Sequence, residues 1–338
     1  MSFVLHVDGA RWRAGLDRFV TAHPGVVPVI KGNGYGFGRD LLCAEASRLG
    51  VPMIAVGTYA ELPTALAAFG HDVLVMEPFR AAVHGGVPDL ANRRVVHTVT
   101  AADDLGALRG VEPDARVVVE GLTSMNRFGA PVDEVGALAA DAGAEGVTLH
   151  LPLGTGHVEE ISRFISAVPG IRRWFVSHVS AAELATLAGR HTDLELLPRI
   201  GTALWYADPA SYEVRAHVLD VRPVVKGDHA GYRQRSLPSG HLVVVSGGTS
   251  HGVAMESPSS AATARTRAIA VAEGVLEAAH RVRSPFTVSG TMPRFAEPPH
   301  MQCSLLVLPD GVAPPRVGDE VTVRMRLTTT TPDAVVVS

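Results

Sequence analysis

Short apolar runs alternate with amphipathic segments through residues 26–198. Each run is long enough for one buried strand, and the segments between the runs space their apolar residues as a helix does. The runs occupy residues 26–30, 53–57, 73–77, 94–99, 116–120, 147–151, 174–178 and 194–198. Continuous apolar strands that alternate with helices are typical of a parallel sheet, so this pattern predicts eight parallel strands.

Eight strand–helix units is the number that forms a (β/α)₈ barrel, which we place at residues 8–213. A doubly wound open sheet is the alternative, because periodicity alone cannot show whether the sheet closes. A further strand is expected at residues 4–7, and Asp8 can cap the helix that follows it.

The pattern changes after residue 213, where the apolar runs become closely spaced and are separated by Gly and Pro. The runs at 215–225, 240–248, 302–309 and 319–327 predict a β-rich domain over residues 214–338. One segment differs, since residues 259–282 are rich in Ala and Glu and favour a helix.

The composition of the chain argues against several classes of protein. The chain has 338 residues, of which 46% are hydrophobic, and this content predicts a sizeable core rather than disorder. The net charge of −4 and the lack of a long basic run argue against a nucleic-acid partner. Two cysteines argue against a disulfide framework, and no signal peptide or membrane span is expected, so we predict a cytoplasmic location.

The most informative stretch is VVPVIKGNGYGFG at residues 26–38. Lys31 ends a buried strand and precedes a glycine-rich loop. A lysine in this position can attack a carbonyl or hold one as a Schiff base, and the glycines let the backbone approach an anionic group. An ordinary surface lysine after a strand is the alternative.

This stretch resembles the pyridoxal-phosphate lysine motif of alanine racemases, Lys-Ala-Asn-Ala-Tyr-Gly-His-Gly. The shared positions are Lys31, Asn33, Tyr35, Gly36 and Gly38. The resemblance implies a (β/α)₈ barrel that binds pyridoxal 5'-phosphate through Lys31, with the Tyr35 hydroxyl on the phosphate. It also implies that residues 1–7 join the C-terminal β-rich domain.

Polar residues follow several of the predicted strands at the end where barrel enzymes place their active sites. They are Lys31, Glu120, His150, His178 and Arg199. Each one alone could be a solvated loop residue, but the regular placement of the set favours a site.

Arg199 lies in PRIGTALWY, which resembles the family's Arg-Pro-Gly-Ile-Ala-Leu-Tyr segment. There the arginine faces the cofactor's pyridine nitrogen. A guanidinium stays protonated and cannot easily protonate that nitrogen, which favours racemisation over transamination. The resemblance also implies that Gly201 and Thr202 bind the phosphate through backbone N–H groups, and Ser180 is a further candidate for phosphate. An ordinary strand–loop junction remains the alternative.

Met-Asn-Arg-Phe-Gly at residues 125–129 resembles the family's Met-Gly-Arg-Leu-Gly. The resemblance implies that Arg127 holds the substrate carboxylate, for which its planar fork is suited. Many family members hold this arginine with a carbamylated lysine seven residues earlier, where this chain has the anionic Glu120. A surface salt bridge between Glu120 and Arg127 is the alternative.

The C-terminal domain supplies the remaining candidates. HAGYRQR at 229–235 resembles the family's Gly-Tyr segment, which implies that Tyr232 reaches the neighbouring subunit's site as a second base, assisted by His150. A loop tyrosine is more often a packing residue. By the same resemblance, the Met301 backbone meets the substrate carboxylate across a homodimer.

The chain departs from the family around the substrate. Gln302 replaces an aspartate, Thr249 replaces an aromatic residue, and the C-terminal segment lacks the family's Tyr-Glu pair. The predicted function is therefore a pyridoxal-phosphate-dependent amino-acid racemase of uncertain substrate, with no metal ion. Another lyase, decarboxylase or aldolase on the same fold, or an idle cofactor-binding protein, is the alternative.

Overall fold

A computed structural model describes residues 2–255 and 283–338. The predicted helix at 259–282 lies outside these residues. The chain divides into two compact units, one of residues 13–207 and the other of the described residues in 1–12 and 208–338. The hydrophobic pattern of the sequence places the boundary between the two units at 213/214, six residues after the boundary in the structure.

The first unit is a closed barrel of eight parallel strands, which confirms the predicted barrel and removes the open-sheet alternative. The barrel strands are β2 (Val27–Ile30), β3 (Met53–Val56), β4 (Asp72–Pro78), β5 (Val95–Val99), β6 (Arg116–Gly121), β7 (Gly146–Leu149), β8 (Arg173–Val176) and β9 (Glu195–Ile200). The barrel closes where β2 pairs in parallel with β9, with Val27 opposite Arg199.

Helices follow the strands around the barrel. They are α1 (Gly9–Ala22), α2 (Arg39–Arg48), α3 (Leu62–Ala68), α4 (Ala81–His84), α5 (Ala102–Val111), α6 (Val132–Ala142), α7 (His157–Ala167), α8 (Ala181–Arg190) and α9 (Thr202–Trp205). Asp8 caps α1 by accepting a hydrogen bond from the Arg11 amide at 3.0 Å, as its position in the sequence predicts.

The barrel interior is filled by a layer of apolar side chains from seven strands, which is two side chains deep on β2 and β3. The layer consists of Val27, Val29, Met53, Ala55, Leu74, Val96, Val118, Phe175 and Leu197. Side chains alternate along a strand, so residues two positions further on point the same way. Lys31, Glu120 and Arg199 each follow a layer residue by two positions, which places them directly above this apolar floor.

The second unit is β-rich, as predicted. Its strands are β1 (Phe3–Val7), β10 (Tyr212–Val224), β11 (His229–Ala230), β12 (Arg235–Ser236), β13 (Gly240–Ser246), β14 (Phe286–Thr287), β15 (Arg294–Phe295), β16 (Cys303–Pro309), β17 (Glu320–Val323) and β18 (Ala334–Val337). The N-terminal strand β1 pairs antiparallel with β10 and parallel with β18. Among residues 2–255 and 283–338, no helix combines the length and apolar character needed to cross a bilayer.

Candidate active site

Lys31 stands at the mouth of the barrel, immediately after β2. Its side chain reaches solvent, but neighbouring atoms partly desolvate the ammonium group. This burial lowers the pKa of Lys31, and the positive charges of Arg127 and Arg199 lower it further, against the opposing effect of Glu61. A lysine with a lowered pKa beside other cations carries more free amine at neutral pH and is a better nucleophile.

A buried carboxylate fixes the loop that follows Lys31. Glu61 accepts a hydrogen bond from the Gly32 amide and another from the Gly57 amide, each at 2.6 Å. These amides belong to the loops after β2 and β3, so one side chain joins two neighbouring strand ends. Sequence reasoning missed Glu61, although the Thr58-x-x-Glu61 spacing is the pattern of a capping box, which the structure forms.

Tyr35 packs against the start of α9. It is 5% exposed and adopts a positive φ of 54°, which is unusual for a residue with a side chain. A Cβ atom on Gly201 would lie 2.0 Å from the Tyr35 hydroxyl oxygen, so only glycine fits there. The structure thus brings together Tyr35, Gly201 and the exposed Thr202, three residues predicted at the phosphate.

Ser180 is engaged elsewhere. Its hydroxyl caps α8, donating to Glu183 Oε2 at 2.8 Å and accepting from the Glu183 amide at 3.3 Å. Its assignment to phosphate stays a prediction. Ser177, which sequence reasoning missed, is the buried serine of this strand end and lies 3.4 Å from His150 Nδ1.

Arg199 and Glu120 are charged side chains in the buried layer above the apolar floor. Arg199 is 5% exposed and Glu120 is 2% exposed. Arg199 donates to the Leu149 carbonyl at 3.1 Å, while its Nε and Glu120 Oε2 are buried without a hydrogen-bond partner. Burial lowers the pKa of Arg199 to about 10, against the opposing effect of the Glu120 charge.

The ion pair considered between Glu120 and Arg127 is not formed. No nitrogen of Arg127 lies within 4.0 Å of the Glu120 carboxylate, and Arg127 is exposed, with its guanidinium 5.1 Å from the centre of the Phe128 ring. Burial raises the pKa of Glu120, and the positive charge that most opposes this rise is that of Arg199, followed by Arg127. The surface salt bridge is therefore wrong, because Glu120 points into the barrel layer and not toward the surface.

His150 is a neutral imidazole at physiological pH. Burial lowers its pKa to about 3, and the charges of Arg199 and Arg127 contribute next. Its ring centre lies 5.3 Å from that of His178, which adopts a positive φ of 58°. His150 can accept or relay a proton in this state but cannot supply a permanent positive charge.

The lowered pKa of His150 predicts the pH dependence of stability in the cofactor-free protein. Between about pH 3 and 6.5 the unfolded chain binds a proton at this residue that the folded chain does not, so stability falls as pH is lowered through this range. We expect His150→Asn to reduce this loss by about 1–2 kcal/mol, a figure discounted for partial exposure. Urea unfolding at several pH values measures it, with the exposed His71→Asn as the matched control. Equal slopes in His150→Asn and wild type would contradict the assignment.

The two remaining candidates lie in the β-rich unit. Tyr232 is 86% exposed and Met301 is 72% exposed, and both line the same surface depression together with Thr249, His300 and Gln302. The Met301 carbonyl accepts hydrogen bonds from the Ser250 amide at 3.0 Å and from the Ser250 hydroxyl at 2.6 Å.

The structure is a (β/α)₈ barrel in which Lys31 follows the first barrel strand. The buried charges of Glu120 and Arg199 lie at the same end of the barrel, which is the end where (β/α)₈ enzymes have their active sites. The family model "Alanine racemase, N-terminal domain" matches residues 7–209. The chain belongs to the alanine racemase family. This confirms the family inferred from the sequence motifs.

Solved structures show the same fold over the whole chain. The alanine racemase from Bartonella henselae with covalently bound pyridoxal phosphate is 13% identical, covers 100% of both chains and has a TM-score of 0.74. The histidine racemase from Leuconostoc mesenteroides subsp. sake is 15% identical over 100% of this chain and 98% of that one, with a TM-score of 0.72. The alanine racemase from E. faecalis is 18% identical over the same shares, with a TM-score of 0.71. No curated protein matches the chain by sequence.

The residues present fit the cofactor that this family implies. Three cations, Lys31, Arg127 and Arg199, act electrostatically on one another, while Glu61 is the anion that acts on Lys31 and Glu120 is the buried anion that interacts with Arg199 and Arg127. This excess of positive charge suits a phosphorylated group. The buried, unpartnered Nε of Arg199 offers a donor for a ring nitrogen, and the Gly201 backbone lies beside the Tyr35 hydroxyl, so both could contact one phosphate.

Proposed function

We propose that this protein is a pyridoxal-phosphate-dependent amino-acid racemase that works with two bases, Lys31 and Tyr232. The observation that supports it most is the partly desolvated Lys31 amine at the barrel mouth, with its pKa lowered by burial and by Arg127 and Arg199. When bound, the cofactor would withdraw electrons from Cα of the amino acid. Lys31, Tyr35, His150, Arg199, Gly201 and Thr202 are the residues proposed to hold it, with Ser180 a further candidate.

The charge and burial of each residue determine the role that we propose for it. Arg127 is the exposed cation at the barrel mouth and is proposed to bind the substrate carboxylate. Glu120 lies deeper, where its charge acts most strongly on Arg199, so we propose that it balances Arg199 as well as Arg127. Arg199 keeps its proton, so it does not give one to the cofactor ring.

Lys31 would move the Cα proton on one face of the substrate and the Tyr232 phenol on the other. The neutral His150 is proposed to assist Tyr232. Tyr232 and Met301 are exposed on the β-rich unit, which fits the proposal that they complete the site of a second subunit in a homodimer. The reducing cytoplasm remains the expected location.

Incubation with amino acids in deuterium oxide tests this function. We expect the cofactor-loaded protein to convert at least one L-amino acid into its D-enantiomer, with deuterium at Cα and no other product. Release of an amine, an aldehyde or ammonia would instead favour a lyase on the same fold. Absence of exchange with every amino acid tested would contradict the enzyme proposal and favour an idle cofactor-binding protein.

A further inference from the structure

A buried carboxylate lies directly beneath the exposed tyrosine of the β-rich unit. Glu297 is 3% exposed, whereas Tyr232 is 86% exposed. A buried carboxylate destabilises a fold unless hydrogen bonds compensate for the lost water. Glu297 Oε1 accepts from the Tyr232 backbone N–H at 3.1 Å and from His300 Nε2 at 2.5 Å. The acid therefore ties the tyrosine loop to the segment that carries His300.

The backbone before Tyr232 is shaped to admit this carboxylate. Gly231 has a φ of +75°, and a Cβ atom there would lie 1.9 Å from the Glu297 carboxyl carbon. Only glycine satisfies both the conformation and the contact. The carboxylate thus occupies the place that a side chain at position 231 would take, and the tyrosine loop is built around it.

His300 contacts the side chain of the same tyrosine. The two ring centres are 4.6 Å apart, with an angle of 37° between the ring planes. Because Nε2 faces a carboxylate, it carries the hydrogen, and Nδ1 then faces the Cys303 Sγ at 3.9 Å. Cys303, Glu297 and Tyr232 thus surround the imidazole, and Arg233 is the other charged residue that lines this depression.

The electrostatics of the pair agree with this geometry. Burial disfavours the Glu297 anion, but the hydrogen bonds from His300 and from the Tyr232 amide outweigh it and lower the pKa of Glu297. Burial raises the pKa of the Cys303 thiol, so the sulfur carries its hydrogen and can donate to Nδ1. Glu297 is therefore an anion in contact with the imidazole at neutral pH.

We infer that Glu297 and His300 are positioning residues for Tyr232: the carboxylate fixes its backbone, and the imidazole packs against its ring and fixes the ring's direction. This rests on the proposed function, in which Tyr232 is the second base. A phenol held at one angle is better placed than a free one, which suits it to exchange a proton with Cα.

The first test measures Tyr232 itself and needs no activity. The chain has five tyrosines, so ¹³C labelling of the tyrosine rings gives few signals, and the one lost in Tyr232→Phe identifies this residue. We expect this signal in the full-length protein to be displaced from that of free tyrosine, because the Tyr232 ring packs against the His300 ring at 4.6 Å. The displacement should be lost in His300→Ala, which removes the ring, and should persist in the exposed His229→Ala. In Glu297→Gln the signal should move toward that of free tyrosine.

The second test measures the reaction. We expect His300→Ala to lower kcat by about tenfold or more while KM changes by less than about twofold. Since a racemisation has an equilibrium constant of one, both directions must lose kcat/KM equally. Exchange of the Cα hydrogen on the Lys31 face should continue, because that base is unchanged.

The two tests separate the two proposals. If the wild-type protein exchanges no amino acid, the racemase proposal fails while the tyrosine signal still decides the role of His300 and Glu297. A Tyr232 signal that matches free tyrosine in the wild-type protein, or that is displaced equally in His300→Ala, would overturn the inference even in an active racemase.

Discussion

Replacing Lys31 by alanine should abolish both the visible absorption of the bound cofactor and all inversion at Cα. The reason is that Lys31 is the one amine among the residues brought together at the barrel mouth, and its pKa is already lowered toward the reactive form. We expect at least about a thousandfold loss of kcat, since both the covalent attachment and one base are removed. Chiral chromatography of the amino-acid product, with an absorption spectrum of each preparation, measures both losses.

The sequence offers a matched control. The chain contains only one other lysine, Lys226, which is exposed on the β-rich unit. Lys226→Ala should retain the absorption and the activity. Equal losses in the two variants, or full activity in Lys31→Ala, would show that Lys31 is not the reactive amine.

Replacing Glu120 by alanine should destabilise the barrel by about 3 kcal/mol, because it leaves the buried Arg199 without its nearest compensating charge. Arg199 is 5% exposed, and its pKa is lowered to about 10 by burial even with Glu120 present. Glu120→Gln should cost less, since the amide keeps the volume of the side chain and a polar oxygen beside Arg199. Urea unfolding of the cofactor-free protein measures these losses.

Two further variants make this prediction specific. Glu213→Ala removes a carboxylate from the exposed pair with Arg215 and should cost less than about 1 kcal/mol. The double variant Glu120→Ala with Arg199→Ala should cost clearly less than the sum of the two single changes. Strict additivity would show that Glu120 and Arg199 are not coupled in the folded barrel.

The barrel could be predicted because the pattern of an apolar run followed by a helical segment occurs eight times along the chain. Eight apolar runs give eight strands, and any one ambiguous run would leave the count almost unchanged. The placement of Lys31, Glu120 and Arg199 above one apolar floor also follows from strand periodicity, since each lies two residues beyond a buried interior position. Family membership rested on short motifs at 26–38, 125–129 and 199–205, and the family match confirms it.

Pairwise contacts could not be predicted in the same way. Sequence spacing paired Glu120 with Arg127, but the loop after β6 turns Arg127 toward solvent while the strand keeps Glu120 inside. Likewise, Ser180 begins a helix and uses its hydroxyl as a cap, whereas Ser177 three residues earlier is buried beside His150. Which of two nearby side chains makes a given contact depends on differences of an ångström or two in the positions of the loops. Hydrophobic periodicity carries no information about such differences.

The contact between Glu297 and Tyr232 could not be predicted either, because the two residues are far apart in the sequence. Sixty-five residues separate it from Tyr232, and the only local mark is Gly231, whose backbone the carboxylate contacts. From sequence alone, a glycine before a candidate tyrosine can be interpreted as a flexible turn. The structure shows instead that it admits a buried acid.

The central claim, that Lys31 carries the cofactor, is tested most directly by borohydride reduction of the protein incubated with pyridoxal 5'-phosphate, followed by peptide mapping. Reduction makes a lysine–cofactor linkage permanent, so the modified peptide identifies the residue by mass. We expect the phosphopyridoxyl group on the peptide that contains Lys31 and not on the peptide that contains Lys226. A label on Lys226 alone, or no label at saturating cofactor, would contradict it.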